Sequence, residues 1–132
     1  MKKTIRNGEI EAFVATLSGP GSFIRTLRLP HAARQAVRVN LKTLTDRLRL
    51  YQEGRKEILD QAVREGHATQ DGDQYTIGPE YRRYYGHELQ ELADVRNDLD
   101  IECFDVDAIL QDSNLTLAEE DVLLFFRKGA ED

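Results

Sequence analysis

The stretch Pro30–Gly66, PHAARQAVRVNLKTLTDRLRLYQEGRKEILDQAVREG, decides the fold. Val37, Leu41, Leu44, Leu48, Tyr51, Ile58 and Ala62 recur at alternating spacings of four and three, interrupted only by Arg55. That is a heptad seam, and an apolar helix edge of this kind calls for another helix alongside it. Pro30 suits the first turn of the helix and Gly66 its stop. A helix of about 35 residues reaches roughly 50 Å at 1.5 Å per residue. A compact domain this small needs less, so part of the seam is expected to meet a second copy of the chain.

Downstream, Asp71-Gly72 stands between the strand-like runs His67–Gln70 and Asp73–Ile77. Asp-Gly at that place predicts a two-residue hairpin turn with positive φ at both residues. Gly78-Pro79 closes the hairpin and opens a helix carrying Tyr81, Tyr84, Tyr85, Leu89, Leu92 and Ala93 on one stripe. This is the natural antiparallel partner for the long helix. Upstream, Asn7 is placed to cap a first helix with Ile10, Phe13, Val14 and Leu17 on one face. Ser18-Gly19-Pro20-Gly21 stops it, and Thr26–Leu29 reads as extended because Pro30 biases its predecessor away from helix.

Towards the C-terminus, Leu99, Ile101 and Cys103 alternate with Asp98, Asp100 and Glu102, the period of a strand with one buried face. Thr116 and Glu119 form a capping box for a last helix through Val122, Leu123, Phe125 and Phe126, stopped at Gly129. The expected class is α+β, mostly α: a long helix and an antiparallel partner joined by a β-hairpin, with a small sheet. One domain, 1–132, is expected, divided into an N-terminal helix and extended segment (1–29), the helical hairpin (30–96), and an acidic strand with the last helix (97–132).

The composition suits a folded chain of 132 residues, with 40% hydrophobic and 32% charged residues. No apolar run reaches the roughly 18–20 residues of a membrane span, and no apolar stretch follows the basic N-terminus as a signal peptide would require. A lone cysteine, Cys103, leaves no internal disulfide. The expected compartment is a reducing cytoplasm. The net charge of −6 hides a division. Residues 1–66 hold 13 Lys and Arg against 7 Asp and Glu, and residues 67–132 hold 5 against 17. Two halves of opposite sign are expected to fold against each other.

Two groups of residues are candidate binding sites. Tyr81, Tyr84 and Tyr85 with Arg82 and Arg83 form an aromatic and basic cluster. Its first reading is structural, since tyrosine fits a half-buried boundary. As a surface it could stack on bases and pair with phosphate, or serve as a hot spot for another protein. The second group is the stripe Arg34, Arg38, Lys42, Arg49 and Lys56 beside the seam. A basic stripe can track phosphates, but Asp46, Glu53, Glu57 and Asp60 break its field and the chain as a whole is acidic. That argues against a nucleic acid, whose partners are usually basic.

The acidic run from Asp98 fails the calcium-loop template, because its sixth and twelfth positions are Cys103 and Ile109. His31, His67 and His87 lack metal-ligand spacing, and Ser18, Ser22 and Ser113 lack a nucleophile elbow. No catalytic residue, metal or cofactor is expected.

The order of features resembles a family of small, functionally uncharacterised phage and prophage proteins. The resembling pieces are Ile5-Arg6-Asn7-Gly8-Glu9-Ile10, Leu27-Arg28-Leu29-Pro30, Asp98-Leu99-Asp100-Ile101-Glu102 and Leu115-Thr116-Leu117-Ala118-Glu119, with Ser18–Arg25 departing as an insertion. The resemblance implies a phage-encoded, helix-rich protein that acts by binding. The expected function is therefore a non-enzymatic interaction protein that self-associates, either as a virion or assembly component or as an accessory protein occupying a host protein. The alternative is an anti-defence protein binding a small anionic ligand such as a nucleotide signal. In that case arginines of the stripe and Tyr81, Tyr84 or Tyr85 would line a pocket between copies.

Overall fold

Residues His31–Arg64 form one unbroken helix, α2, in the computed structural model, which describes residues 1–19, 21–112 and 114–128. Pro20 of the expected first stop, Ser113 and the expected stop at Gly129 lie outside the described residues. The end of α2 closes at Gly66, φ +76°, as a Schellman motif. Gly66 N–H donates to the Val63 carbonyl at 3.1 Å, and His67 N–H to the Ala62 carbonyl at 2.9 Å.

The seam is where the periodicity puts it. Val37, Leu44, Leu48, Tyr51 and Ala62 are buried, and Leu41 and Ile58 are half-buried. Two helices of the same chain pack along α2: α1 (Asn7–Leu17) and α3 (Arg82–Ala93). Cover for the five buried members of the seam therefore comes from within the chain. Arg55, the interruption in the heptads, ties α2 to α1. Its guanidinium donates to Glu11 at 2.8 Å and lies over the Tyr51 ring at 4.8 Å. Where α3 crosses α2, Gly54 makes room, because a Cβ there would lie 3.2 Å from Leu92 Cδ2.

Between α2 and α3 stands the hairpin of β2 (Ala68–Asp71) and β3 (Gln74–Ile77). Asp71 pairs with Gln74, so the turn residues are Gly72 and Asp73, one position later than the sequence reading placed them. Only Gly72 has positive φ, +62°. A turn with a left-handed first residue alone needs glycine there and accepts aspartate second.

The second sheet joins the ends of the fold. β1 (Lys2–Arg6) pairs antiparallel with β4 (Arg96–Asp100), with Lys3 opposite Leu99 and Ile5 opposite Asn97. The strand thus starts and ends earlier than the Leu99–Cys103 alternation predicted, and Cys103 is only half-buried. Past β4, buried Asn40 of α2 takes over from the ladder. Its side-chain amide donates to the Glu102 carbonyl at 3.0 Å and its oxygen accepts from the Glu102 N–H at 2.8 Å. Asn7 is no cap either. It is the first residue of α1, it is buried, and its amide donates to the Leu92 carbonyl at 2.8 Å and accepts from Asn97 at 2.9 Å. A polar group this deep must be paired, and here the pairing links three elements.

The segment Thr26–Leu29, read as extended, departs from that reading at Thr26. Phe23–Arg25 is a 3-10 turn and Thr26 is helical in φ and ψ. A short helix α4 (Asp107–Asp112) precedes α5 (Leu117–Phe125), whose capping box forms as read, with Glu119 N–H on the Thr116 hydroxyl at 3.2 Å. Val122, Leu123 and Phe126 then close the main core over Ile10, Leu44 and Ile101. The class is α+β, mostly helical, with two two-stranded antiparallel sheets among the described residues. No helix among them is long and apolar enough to cross a membrane.

Candidate functional site

The tyrosine-rich segment splits into staples and one exposed ring. Tyr81 ends the 3-10 turn Pro79–Tyr81 that leads into α3, and successive residues of α3 are about 100° apart, so Tyr85 faces α2 while Tyr84 falls to the flank. Tyr85 is 2% exposed and Tyr84 60% exposed, which corrects the expectation that all three share one half-buried stripe. Tyr81 stacks on His67 with ring centroids 3.9 Å apart. The Tyr85 hydroxyl lies 2.7 Å from His67 Nδ1 and 3.4 Å from Glu65. A proton on Nδ1 satisfies all three groups, the histidine donating to the phenol and the phenol to the carboxylate. Tyr75, on β3, donates to Asp60 at 2.5 Å, and Asp60 also accepts from Lys56 at 2.7 Å. These contacts hold the hairpin and α3 onto the end of α2.

The ionisations follow from the contacts. Burial, then the charge of Glu65, pushes the Tyr85 phenol up. The Tyr75 phenol is raised by its bond to Asp60, and the bonds from Lys56 and Tyr75 hold the Asp60 carboxyl low. Tyr84 is raised first by the charge of Glu88, to which its hydroxyl donates at 3.3 Å.

Tyr84 stands edge-on to Tyr85, centroids 4.9 Å apart, at a groove of about 500 Å³ between α2 and α3. Glu57, Gln61, Arg64, Glu65 and Glu88 supply its polar lining. Arg83 is exposed on the solvent side next to Tyr84, and Arg82, also exposed, is on the opposite flank of α3. Neither arginine makes an ion pair among the described residues.

The basic stripe does not reach across to the acidic half as expected. Lys42 and Arg49 meet Asp46 at 2.9 and 3.9 Å, and Lys56 meets Asp60, all within α2. Side chains one turn apart on a helix find each other before any distant partner does. The acidic strand is neutralised instead by β1, through Lys2 on Asp100 at 3.6 Å. Arg34 donates to the carbonyls of Leu29 and Leu27, both at 3.2 Å, and holds the loop that enters α2. Arg38 makes no ion pair among the described residues. Together with Arg25, which the sequence reading did not single out, Arg34 and Arg38 line a second groove of about 360 Å³.

The tyrosines and the stripe arginines are therefore not neighbours within one chain. Arg38 and Gln61, which mark the two grooves, are roughly 35 Å apart along α2 at 1.5 Å per residue. Among the described residues no cluster of three or more His, Cys, Asp or Glu could hold a metal ion. Comparison with family models, curated proteins and solved structures finds no match for the chain.

Proposed function

We propose that the chain is a non-enzymatic interaction protein that self-associates through the Tyr84 face of α3. The observation that carries this reading is Tyr84 itself, 60% exposed at the mouth of a groove. An exposed tyrosine flanked by an arginine is the composition of a binding hot spot. The same face holds both signs of charge, Arg83 on one side of the ring and Glu57, Glu65 and Glu88 in the groove. A patch with both signs is self-complementary, as a two-fold contact between identical copies requires. The phage resemblance supports the wider role of virion or assembly component, or of accessory protein that occupies a host protein, in the bacterial cytoplasm or the particle.

Sedimentation velocity over a rising concentration series tests the self-association. The 15.1 kDa chain should move from monomer to dimer, and Tyr84→Ala or Arg83→Glu should hold it as monomer at the same concentrations. A monomer at every concentration would overturn the reading. Probing purified phage particles for the chain separates a virion component from an accessory protein.

A further inference from the structure

The groove at the other end of α2 joins three cationic side chains to an apolar floor. Arg25 comes from the 3-10 turn, Arg34 and Arg38 from the first turns of α2, and Leu17, Val37 and Leu41 lie between them. Among the described residues no aspartate or glutamate lines it, although the chain carries 24 acidic residues against 18 basic ones. Everywhere else along α2 the stripe is neutralised: Lys42, Arg49 and Lys56 all have carboxylates one turn away. Arg25 and Arg38 have none among the described residues, so the positive field here is uncancelled. Arg34 is held in place by the Leu27 and Leu29 carbonyls, and its two bonds use two of five guanidinium donors. A planar donor fixed by its own loop costs little further ordering when it meets an anion.

We infer that this groove binds a small phosphomonoester carrying a flat apolar body. A carboxylate is satisfied by one guanidinium fork, whereas a phosphate dianion offers three oxygens and close to two charges, which suits three arginines. The apolar floor adds affinity only for a ligand with an apolar part, so the headgroup alone binds poorly. At about 360 Å³ the groove is near the lower end of ligand-pocket sizes, roughly 300–1,000 Å³. A mononucleotide fits that range better than a dinucleotide or a polymer. The inference does not rest on the Tyr84 face, which is at the far end of α2.

Titration calorimetry at low salt with AMP, inorganic phosphate and adenosine tests it. AMP should bind, with phosphate alone and adenosine alone each at least about tenfold weaker, and the affinity should fall as salt rises. Arg38→Glu should abolish AMP binding, and Arg25→Gln should weaken it by about tenfold, a typical loss for one charge-assisted hydrogen bond. Both residues are exposed and make no ion pair among the described residues, so circular dichroism should be unchanged in either variant. No heat with AMP at millimolar concentration overturns the inference, as does AMP binding that survives both substitutions. Either failure would leave the monomer–dimer behaviour, and hence the Tyr84 reading, untouched.

Discussion

Along its first half α2 packs into a core of aliphatic and phenylalanine side chains from α1, β4 and α5, whereas its last turns are held to the hairpin and α3 by tyrosine hydroxyls. The main cluster has seventeen buried hydrophobic members among the described residues and the second has three, Ala62, Ala68 and Tyr85. Apolar burial scales with area and does not depend on direction, so the first end is stable against small shifts. The second end depends on Tyr85–His67–Glu65 and Tyr75–Asp60–Lys56, whose bonds fail when the geometry or the protonation changes. One continuous helix thus joins a rigid end to an end that opens locally at lower cost. The exposed Tyr84 is on the weaker end, and the unpaired arginines are on the rigid one.

The largest effect is expected from Leu44→Ala, which empties a fully buried site in the main core. It should cost about 2–5 kcal/mol, read as a shift of the whole denaturant transition. A loss confined to one end of α2 would break the comparison. Next is Asn40→Ala, which leaves both peptide groups of Glu102 without their α2 partner and should cost about 1–3 kcal/mol. Amide exchange should then quicken at residues 101–103 before the hairpin responds.

Tyr85→Phe keeps the ring and removes the hydroxyl, for a cost of about 0.5–1.5 kcal/mol. Its signature should be local: faster amide exchange in β2, β3 and α3, with α1 unchanged. If α1 quickened equally, the two ends would be one cooperative unit.

The pH dependence gives a finer test. Asp60 is held below its ordinary 3.8 in the fold, so its contribution is present above that value and is lost as pH falls through the lower, folded one. The phenols of Tyr75 and Tyr85 are raised above 10.0, so their contribution is full below 10.0 and is lost as pH rises through the higher value. In both limbs the Tyr75 and Tyr85 ring resonances should broaden or shift before the methyls of Ile10 and Leu44. The smallest effect belongs to Tyr84→Ala, which should change stability by no more than about 0.5 kcal/mol while it removes self-association.

The elements legible in the chain are those whose signals are local. The seam of α2 shows in spacing alone, because a helix maps positions three and four apart onto one edge. Thr116 and Glu119 are three residues apart, and their box forms as read. The hairpin was legible to within one residue, since either Asp71-Gly72 or Gly72-Asp73 can make the turn and only cross-strand pairing selects the register. Lys2–Arg6 carries no apolar alternation strong enough to announce β1. Asn7 looks like a cap because asparagine is among the favoured N-cap residues, and Asn40 looks like a surface residue on a polar face. The three-arginine groove was half legible: Arg34 and Arg38 were in the stripe, but Arg25 reaches them only through the turn that packs Phe23 into the core.

What the sequence determined by itself is the rod, its greasy edge, the stop at Gly66 and the Thr116–Glu119 capping box, because each depends on backbone periodicity and short-range hydrogen bonding. Tertiary structure alone decided which residues cover that edge, that residues 2–6 meet 96–100, that Tyr84 faces solvent while Tyr85 does not, and that Arg25 joins Arg34 and Arg38. Those outcomes compare the burial of one long-range contact with that of another, and a difference between two burials is not a property of any window of the chain.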